Sequence, residues 1–215
     1  MSDFRYYRPN SFPPIVKNLI IINVLVWVAQ LIFDKQGTGL TMKLALYPLQ
    51  TPFFEPYQIA THMFAHSAYN MGGGIVFFHI LFNMFGLFMF GRVLENVWGP
   101  KRFLLFYLAC GVGAAAAHLA VQYFTNDFSA AIGASGAVMG IFAAFAYLFP
   151  NTELYFMFIP IPVKAKWAVI GLAAIDLFGG ISGGGSIAHF AHLGGALTGF
   201  ILVLIWNKTN RRKFY

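Results

Sequence analysis

The sequence predicts an all-α polytopic membrane protein with six transmembrane helices and both termini in the cytoplasm. Hydrophobic residues make up 59% of the 215 residues and charged residues only 10%, against about 25% charged residues in ordinary globular proteins. Apolar runs long enough to cross a bilayer, about 17–25 residues, recur along the whole chain. Because too few polar residues are present to cover a water-exposed surface, the composition excludes a soluble fold.

Glycine and proline mark the ends of six apolar runs. Gly72–Gly74 precede the second run, Gly99-Pro100 separates it from the third, and the stretch SGGGS (182–186) separates the fifth from the sixth. We therefore predict one membrane domain over residues 15–206, preceded by a cytoplasmic segment at 1–14 and followed by a basic cytoplasmic tail at 207–215. Its predicted helices lie near residues 15–33, 74–94, 102–124, 133–149, 165–180 and 187–206.

The distribution of basic residues predicts the orientation. With six spans, twelve of the 14 Lys and Arg residues fall on the side that holds both termini, and only Lys35 and Lys43 fall on the other. Basic loops stay in the cytoplasm, so this side is assigned to the cytoplasm. Topology thus explains the net charge of +7, and we expect no nucleic-acid partner. The first loop, residues 34–73, is unusually apolar and is expected to lie against the outer leaflet; an ordinary extracellular loop is the alternative.

Four polar side chains on three predicted helices fall at one depth, in the outer third of the membrane. Ser135 lies within the first turn of the fourth helix, His192 lies about one and a half turns into the sixth, and His79 and Asn83 lie one to two turns into the second. His79 and Asn83 are four residues apart and therefore share one helix face. Polar groups inside a membrane are costly and indicate function. Each one taken alone is better explained by packing or a local hydrogen bond, but their joint arrangement favours a site.

A serine beside a histidine predicts nucleophilic catalysis. The hydroxyl of Ser135 needs a base within about 2.6–3.2 Å to take its proton, and His192 is the candidate. Such proximity requires the fourth and sixth helices to approach more closely than usual, which small residues permit. The small residues at these positions are Gly133, Gly136, Gly195 and Gly199.

Acyl transfer also needs hydrogen-bond donors for the developing oxyanion. The backbone N–H of Ser135 lies in a first helical turn and has no intrahelical acceptor. The side chains of His79 and Asn83 are the two other candidate donors.

Five segments follow one another along the chain: THMFAH (61–66), HILFNMFGLFMFG (79–91), ENVWGPKRF (95–103), GASGAVMG (133–140) and AHFAHLGGALTG (188–199). The motif GxSG alone would be weak evidence, but the combination is specific. Together the segments resemble the rhomboid intramembrane serine proteases over residues 57 to 206 approximately.

The resemblance implies an endopeptidase that uses a dyad, with Ser135 as nucleophile and His192 as general base and then acid. His79 and Asn83 match the oxyanion-stabilising positions of the family, together with the Ser135 N–H. The expected substrates are transmembrane segments of single-pass proteins, cut near the outer leaflet, and no cofactor or metal is expected. The expected location is the bacterial inner (plasma) membrane.

The resemblance also gives expectations for other residues. His62 and His66 are expected to shape the first loop and a water-retaining cavity, and His189 is not expected to be catalytic. Met139 stands where many members carry an aromatic residue that packs on the catalytic histidine. Glu95 is expected to be structural. Asp176 could complete a triad with Ser135 and His192, but the family works with a dyad, so Asp176 is also expected to be structural. The stretch SAYNMGGGIVFF (67–78) is longer than the usual link of the family, which predicts a displaced or irregular start of the second helix.

Two other functions remain open from the sequence. One is a proteolytically inactive rhomboid-like protein that binds membrane clients, although such relatives usually lack the serine or the histidine. The other is a metal-binding membrane protein that uses the pairs His62/His66 and His189/His192, spaced four and three residues apart. Few carboxylates are available to complete such a metal site, since the chain has only seven acidic residues.

Overall fold

The computed structural model describes residues 10–70, 72–156, 159–182 and 187–209, so most of the predicted turn at 182–186 and the ends of both predicted tails lie outside the described residues. The helices are α1 (Pro14–Lys35), α2 (Leu40–Leu44), α3 (Gln58–Thr61), α4 (Phe78–Gly86), α5 (Arg92–Trp98), α6 (Pro100–Thr125), α7 (Ser135–Leu148), α8 (Ala165–Ile181) and α9 (Ile187–Thr209). A 3-10 turn, His62–Phe64, follows α3, and a π-helical turn, Leu87–Gly91, joins α4 to α5.

Each of the six predicted helices is present. Within the described residues, four helical segments are long and apolar enough to cross a membrane: Pro14–Lys35, Phe78–Trp98, Pro100–Thr125 and His189–Lys208. The helix α7 is apolar but shorter, with 14 residues. It packs against α6 and α9, and the side chains along most of its length are buried, so it is the central helix of the bundle.

The second predicted helix starts later than expected, at Phe78 instead of residue 74, and ends at Trp98. The preceding residues are held in a turn by Asn70, whose Oδ1 accepts hydrogen bonds from the amides of Gly72 and Gly74. The amide of Val76 then donates to the carbonyl of Ala68 at 2.9 Å. These bonds use backbone groups that a longer helix would need, and the expected irregular start is thereby confirmed.

The all-α prediction is wrong for the segment between α7 and α8. There β1 (Glu153–Phe156) pairs antiparallel with β2 (Ile159–Lys164), with Glu153 opposite Lys164. The β2 sequence IPIPVK alternates proline with β-branched residues, and both disfavour a helix. Proline is tolerated in such a strand because a two-stranded sheet consists of edge strands only.

Glu95 anchors the beginning of α1 to α5. Its buried carboxylate accepts hydrogen bonds from the amides of Ile15 at 2.9 Å and Val16 at 2.8 Å. Both amides lie in the first turn of α1, where no intrahelical acceptor is available, and Pro14 before them has no N–H. A carboxylate on α5 therefore caps the start of α1. This contact agrees with the structural role expected for Glu95.

Candidate active site

Ser135 is the first residue of α7, and the turn before it requires glycine. Gly133 has φ 124°, a conformation that side-chain-bearing residues rarely adopt. The first intrahelical bond of α7 runs from the Val138 amide to the Ala134 carbonyl. The Ser135 N–H precedes this bond and has no intrahelical acceptor, so the serine presents a hydroxyl and a backbone donor at one helix start.

Close packing of α7 on α9 brings Ser135 to His192. The Ser135 Oγ lies 2.8 Å from His192 Nε2, within the distance expected for a nucleophile and its base. A Cβ on Gly195 or Gly199 would collide with the backbone of Gly136 or Gly140, respectively. The two backbones touch where side chains are missing.

His192 has a second polar neighbour, the carboxylate of Asp176 on α8. Asp176 Oδ1 lies 3.1 Å from His192 Nδ1 and 2.7 Å from His189 Nδ1. A carboxylate only accepts hydrogen bonds, so both imidazoles donate from Nδ1. The neutral His192 ring then carries its lone pair on Nε2, the atom that faces Ser135. This contact is the triad arrangement that the sequence analysis set aside when it gave Asp176 a structural role.

His79, the second residue of α4, carries its proton on Nε2. Its Nδ1 accepts a hydrogen bond from the Ser67 amide at 3.1 Å and lies 3.2 Å from the Ser67 hydroxyl. An amide can only donate, so a neutral His79 is protonated on Nε2. A Cβ on Gly133 would lie 2.9 Å from this Nε2 and 3.7 Å from Ser135 Oγ. The Nε2–H of His79 therefore lies beside the Gly133 turn that precedes the serine.

Asn83 lies one turn after His79 and is buried. Its Nδ2 donates to the His79 carbonyl at 2.8 Å, and its Oδ1 has no hydrogen-bond partner among the described residues. One N–H of the amide is thus used within the helix, and the second remains for another acceptor.

The first loop reaches the site through two buried histidines. The His62 carbonyl accepts the Gly133 amide at 2.8 Å, which ties the loop to the turn before the serine. His66 is held by α1: Gln30 bonds both its amide and its carbonyl, and Asn23 Oδ1 lies 2.9 Å from its Nε2. The sequence analysis missed Asn23 and Gln30, although two polar residues seven positions apart in an apolar helix are a signal of one buried face.

Burial keeps both loop histidines neutral. Desolvation lowers the pKa of His66 from 6.5 to about 3, with a smaller contribution from the neighbouring His79. Desolvation also lowers the pKa of His62, against the hydrogen bond to the Gln58 carbonyl, which raises it. Neither ring is suited to transfer protons near neutral pH, which agrees with the shaping role expected for this loop.

Asp176, His189 and His192 are also the residues most suited to hold a metal ion. One ligand atom from each lies within 4.8 Å of the others, and imidazole with carboxylate suits several transition metals. The two hydrogen bonds to Asp176 use the Nδ1 protons that a metal would have to displace. The observed distances of 2.7 and 3.1 Å therefore fit a hydrogen-bonded cluster.

Met139 lies one turn after Ser135 on α7 and is half-buried. Its packing on His192 stays a prediction. Of the other residues selected from the sequence, Ser135 and His192 are in direct contact, and His79 lies beside Gly133. Asn83 is attached to this group through the His79 backbone.

The fold and this group of side chains define a class of protein: a polytopic helical membrane protein with a serine–histidine pair near the ends of its helices. A rhomboid domain model matches residues 54–208, well over half of the chain. The chain therefore belongs to the rhomboid family and is a multi-pass membrane protein.

Three curated relatives are similar over part of the chain. It is 34% identical over 116 residues to the presenilin-associated rhomboid-like protein A, mitochondrial, of Danio rerio, covering 51% of this chain and 30% of the relative. It is 34% identical over 114 residues to the human presenilin-associated rhomboid-like protein, mitochondrial, covering 50% and 30%. It is 36% identical over 70 residues to rhomboid protein 1, mitochondrial, of Saccharomyces cerevisiae, covering 33% and 20%.

The chain thus matches less than a third of the length of these relatives. All three are mitochondrial by name, so they lend no support to a bacterial membrane, which stays a prediction from the sequence.

Proposed function

We propose that the protein is an intramembrane serine endopeptidase that cleaves transmembrane segments of single-pass membrane proteins near the outer leaflet. The observation that carries the proposal is the distance of 2.8 Å between Ser135 Oγ and His192 Nε2. Membership of the rhomboid family supports the same chemistry, because the family consists mostly of serine proteases.

In the first half of the reaction, Ser135 Oγ attacks the carbonyl carbon of the scissile peptide bond while its proton passes to His192 Nε2. The resulting tetrahedral intermediate collapses when the carbon–nitrogen bond breaks, and His192 returns the proton to the leaving amine. In the second half a water molecule attacks the acyl-enzyme ester, His192 accepts its proton, and Ser135 is released with the proton returned to it.

The negative charge on the intermediate needs preorganised donors. The Ser135 amide and the Nε2–H of His79 are suited to this role, because neither is used by the helix. The second amide hydrogen of Asn83 is the third candidate. The Ser135 amide belongs to the start of α7, and the side chains of His79 and Asn83 belong to α4. The oxyanion would therefore accept hydrogen bonds from two different helices.

The proposed topology has six spans formed by α1, the continuous α4–α5 rod, α6, α7, α8 and α9. Lys and Arg on the side of both termini support a cytoplasmic location for the ends. With this topology the starts of α4, α7 and α9 and the end of α8 face the outer leaflet, which is why cleavage is expected there. The lipid bilayer and single-pass membrane proteins are then the partners.

The test is cleavage of a panel of single-span substrates by the purified protein in proteoliposomes, with EDTA present to remove adventitious metal. We expect cleavage by the wild type, loss of cleavage in Ser135→Ala and His192→Ala, and labelling of Ser135 by a fluorophosphonate. Ser129→Ala, in an exposed loop, is the matched control and should cleave normally.

Full cleavage by Ser135→Ala, or a wild type that the fluorophosphonate does not label, would contradict the proposal. A client that binds equally well to wild type and Ser135→Ala and is never cut would favour the inactive client-binding alternative. Activity that depends on added metal would favour the metal-binding alternative.

A further inference from the structure

We infer that Asp176 is a positioning residue for His192, and that His189 is a second hydrogen-bond partner of the same carboxylate. The inference rests on the proposed function and extends it, because the serine–histidine pair alone needs no carboxylate. It stands on a connected series of contacts: His189 Nδ1 to Asp176 Oδ1 at 2.7 Å, Asp176 Oδ1 to His192 Nδ1 at 3.1 Å, and His192 Nε2 to Ser135 Oγ at 2.8 Å.

Asp176 lies where an unpaired carboxylate would cost free energy. It is the only acidic residue of α8, in a helix that otherwise consists mainly of apolar residues, and its side chain is 10% exposed. A carboxylate in such a place is destabilising unless it is paired and hydrogen-bonded. The partners that the described residues supply are the two imidazoles of α9, which lie three positions apart and therefore on one face of that helix.

The hydrogen bond to Asp176 determines which nitrogen of His192 can act as a base. Without an acceptor at Nδ1, the imidazole is free to carry its proton on either nitrogen and to rotate about its side-chain bonds. With the carboxylate at Nδ1, the proton stays there and the lone pair of Nε2 points at Ser135. When Nε2 accepts the serine proton, the ring becomes an imidazolium next to a carboxylate that keeps its charge. This attraction is strong where water is scarce.

His189 keeps the carboxylate in position from the other side. Its ring is 27% exposed, close to the 26% of His192, so the carboxylate is the most buried member of the cluster. The shorter of the two bonds belongs to His189, and both bonds end on the same oxygen. His189 is thus expected to help fix the orientation of Asp176 without contacting Ser135.

The first experiment measures the rate at which a fluorophosphonate labels Ser135, which reports the nucleophilicity of the serine without a substrate. Asp176→Asn removes the charge and keeps the shape, and we expect labelling to slow by about 10- to 100-fold. The corresponding substitution in an enclosed Ser-His-Asp triad costs about 10⁴-fold, and the smaller effect is expected here because the carboxylate is shared. Asp127→Asn, in the loop that follows α6 and outside the cluster, is the matched control and should be labelled at the wild-type rate.

The second experiment reads the tautomer of His192 in the wild type itself. NMR of protein labelled with ¹⁵N-histidine should show His192 protonated on Nδ1 and bare on Nε2, with its signals assigned by their loss in His192→Phe. A His192 protonated on Nε2, or an Asp176→Asn variant that is folded and labelled at the wild-type rate, would overturn the inference while the proposed function stands. A wild type that is not labelled at all would overturn the proposed function and the inference with it.

Discussion

Substitution of Gly195 by alanine tests whether helix separation controls the proposed chemistry. The new Cβ would collide with the carbonyl oxygen of Gly136 and lie 2.6 Å from its carbonyl carbon and 3.1 Å from its Cα. All three atoms belong to the backbone of α7, so no side chain can rotate away. Carbon atoms in ordinary contact are about 3.5–4.0 Å apart, and the two helices must therefore separate by about 1 Å.

This displacement is large compared with the serine–histidine contact. The distance from Ser135 Oγ to His192 Nε2 would grow from 2.8 Å to about 3.8 Å, beyond the reach of about 3.2 Å for proton transfer. A misplacement of about 1 Å costs about 100-fold in rate, so we expect kcat/KM to fall by at least about 100-fold. The overpacking itself should lower the free energy of unfolding by only about 1–3 kcal/mol, and most of the protein should stay folded.

The assay compares initial cleavage rates in proteoliposomes with thermal unfolding of the same preparations. Gly171→Ala is the matched control, because a Cβ at this α8 position meets no atom within 4 Å. That variant should cleave at the wild-type rate and be equally or slightly more stable, since alanine favours a helix over glycine. A folded Gly195→Ala variant with wild-type kcat/KM would refute the argument that α7–α9 contact sets the distance between serine and histidine.

Three further predictions concern the frame of the site. Glu95→Ala should lower the free energy of unfolding by about 2–4 kcal/mol in chemical denaturation, because two amides of α1 lose a charged acceptor, whereas exposed Glu55→Ala should change it by less than about 0.5 kcal/mol. The pKa of His66 is about 3 in the folded protein and about 6.5 in the unfolded chain. The contribution of the neutral ring to the free energy of unfolding is therefore complete above about pH 6.5 and is lost as the pH falls. Stability should drop by about 2 kcal/mol between pH 7 and pH 5, and a pH-independent difference between wild type and His66→Gln would contradict this. Gly133→Ala should lower both stability and cleavage, since it strains the φ 124° turn and contacts His79 Nε2; wild-type cleavage would show that this turn is not needed.

Much of the site was predictable because it lies at helix starts. Ser135 and His192 each stand near the beginning of an apolar helix whose following residues are small, and the sequence displays both features directly. The approach of α7 and α9 follows from Gly136, Gly195 and Gly199, since missing side chains allow close contact whatever the exact rotation of the helices. The proximity of these residues therefore needed no knowledge of side-chain directions.

The contact between Asp176 and His192 was not predictable in this way. The helix α8 is apolar on nearly all sides, so its hydrophobic pattern does not determine which face turns toward α9. A rotation of α8 by half a turn would point the carboxylate away from the histidines with the sequence unchanged. The same limit applies to Asn23 and Gln30 of α1, whose partner His66 lies more than 30 residues away in a loop of irregular structure.

The location of the site at helix ends also explains where a substrate is expected to be cut. Ser135 opens α7, His79 is the second residue of α4, His192 is the sixth residue of α9, and Asp176 lies five residues before the end of α8. Helix ends carry unpaired backbone groups in any case, so this end of the bundle is polar before any catalytic side chain is added. Water needed to hydrolyse the acyl-enzyme can reach such a surface.

If the same four side chains lay two turns deeper in the membrane, their mutual distances would be unchanged. The Ser135 amide would then be used within the helix, and water would not reach the site. We therefore expect scissile bonds near the end of a substrate's transmembrane segment, within about one or two helical turns, about 5–11 Å, of the membrane surface. A series of substrates in which one cleavable sequence is moved inward residue by residue tests this expectation. Cleavage should disappear as the sequence approaches the bilayer centre, and uniform cleavage at all depths would show that the position of the helix ends does not limit the reaction.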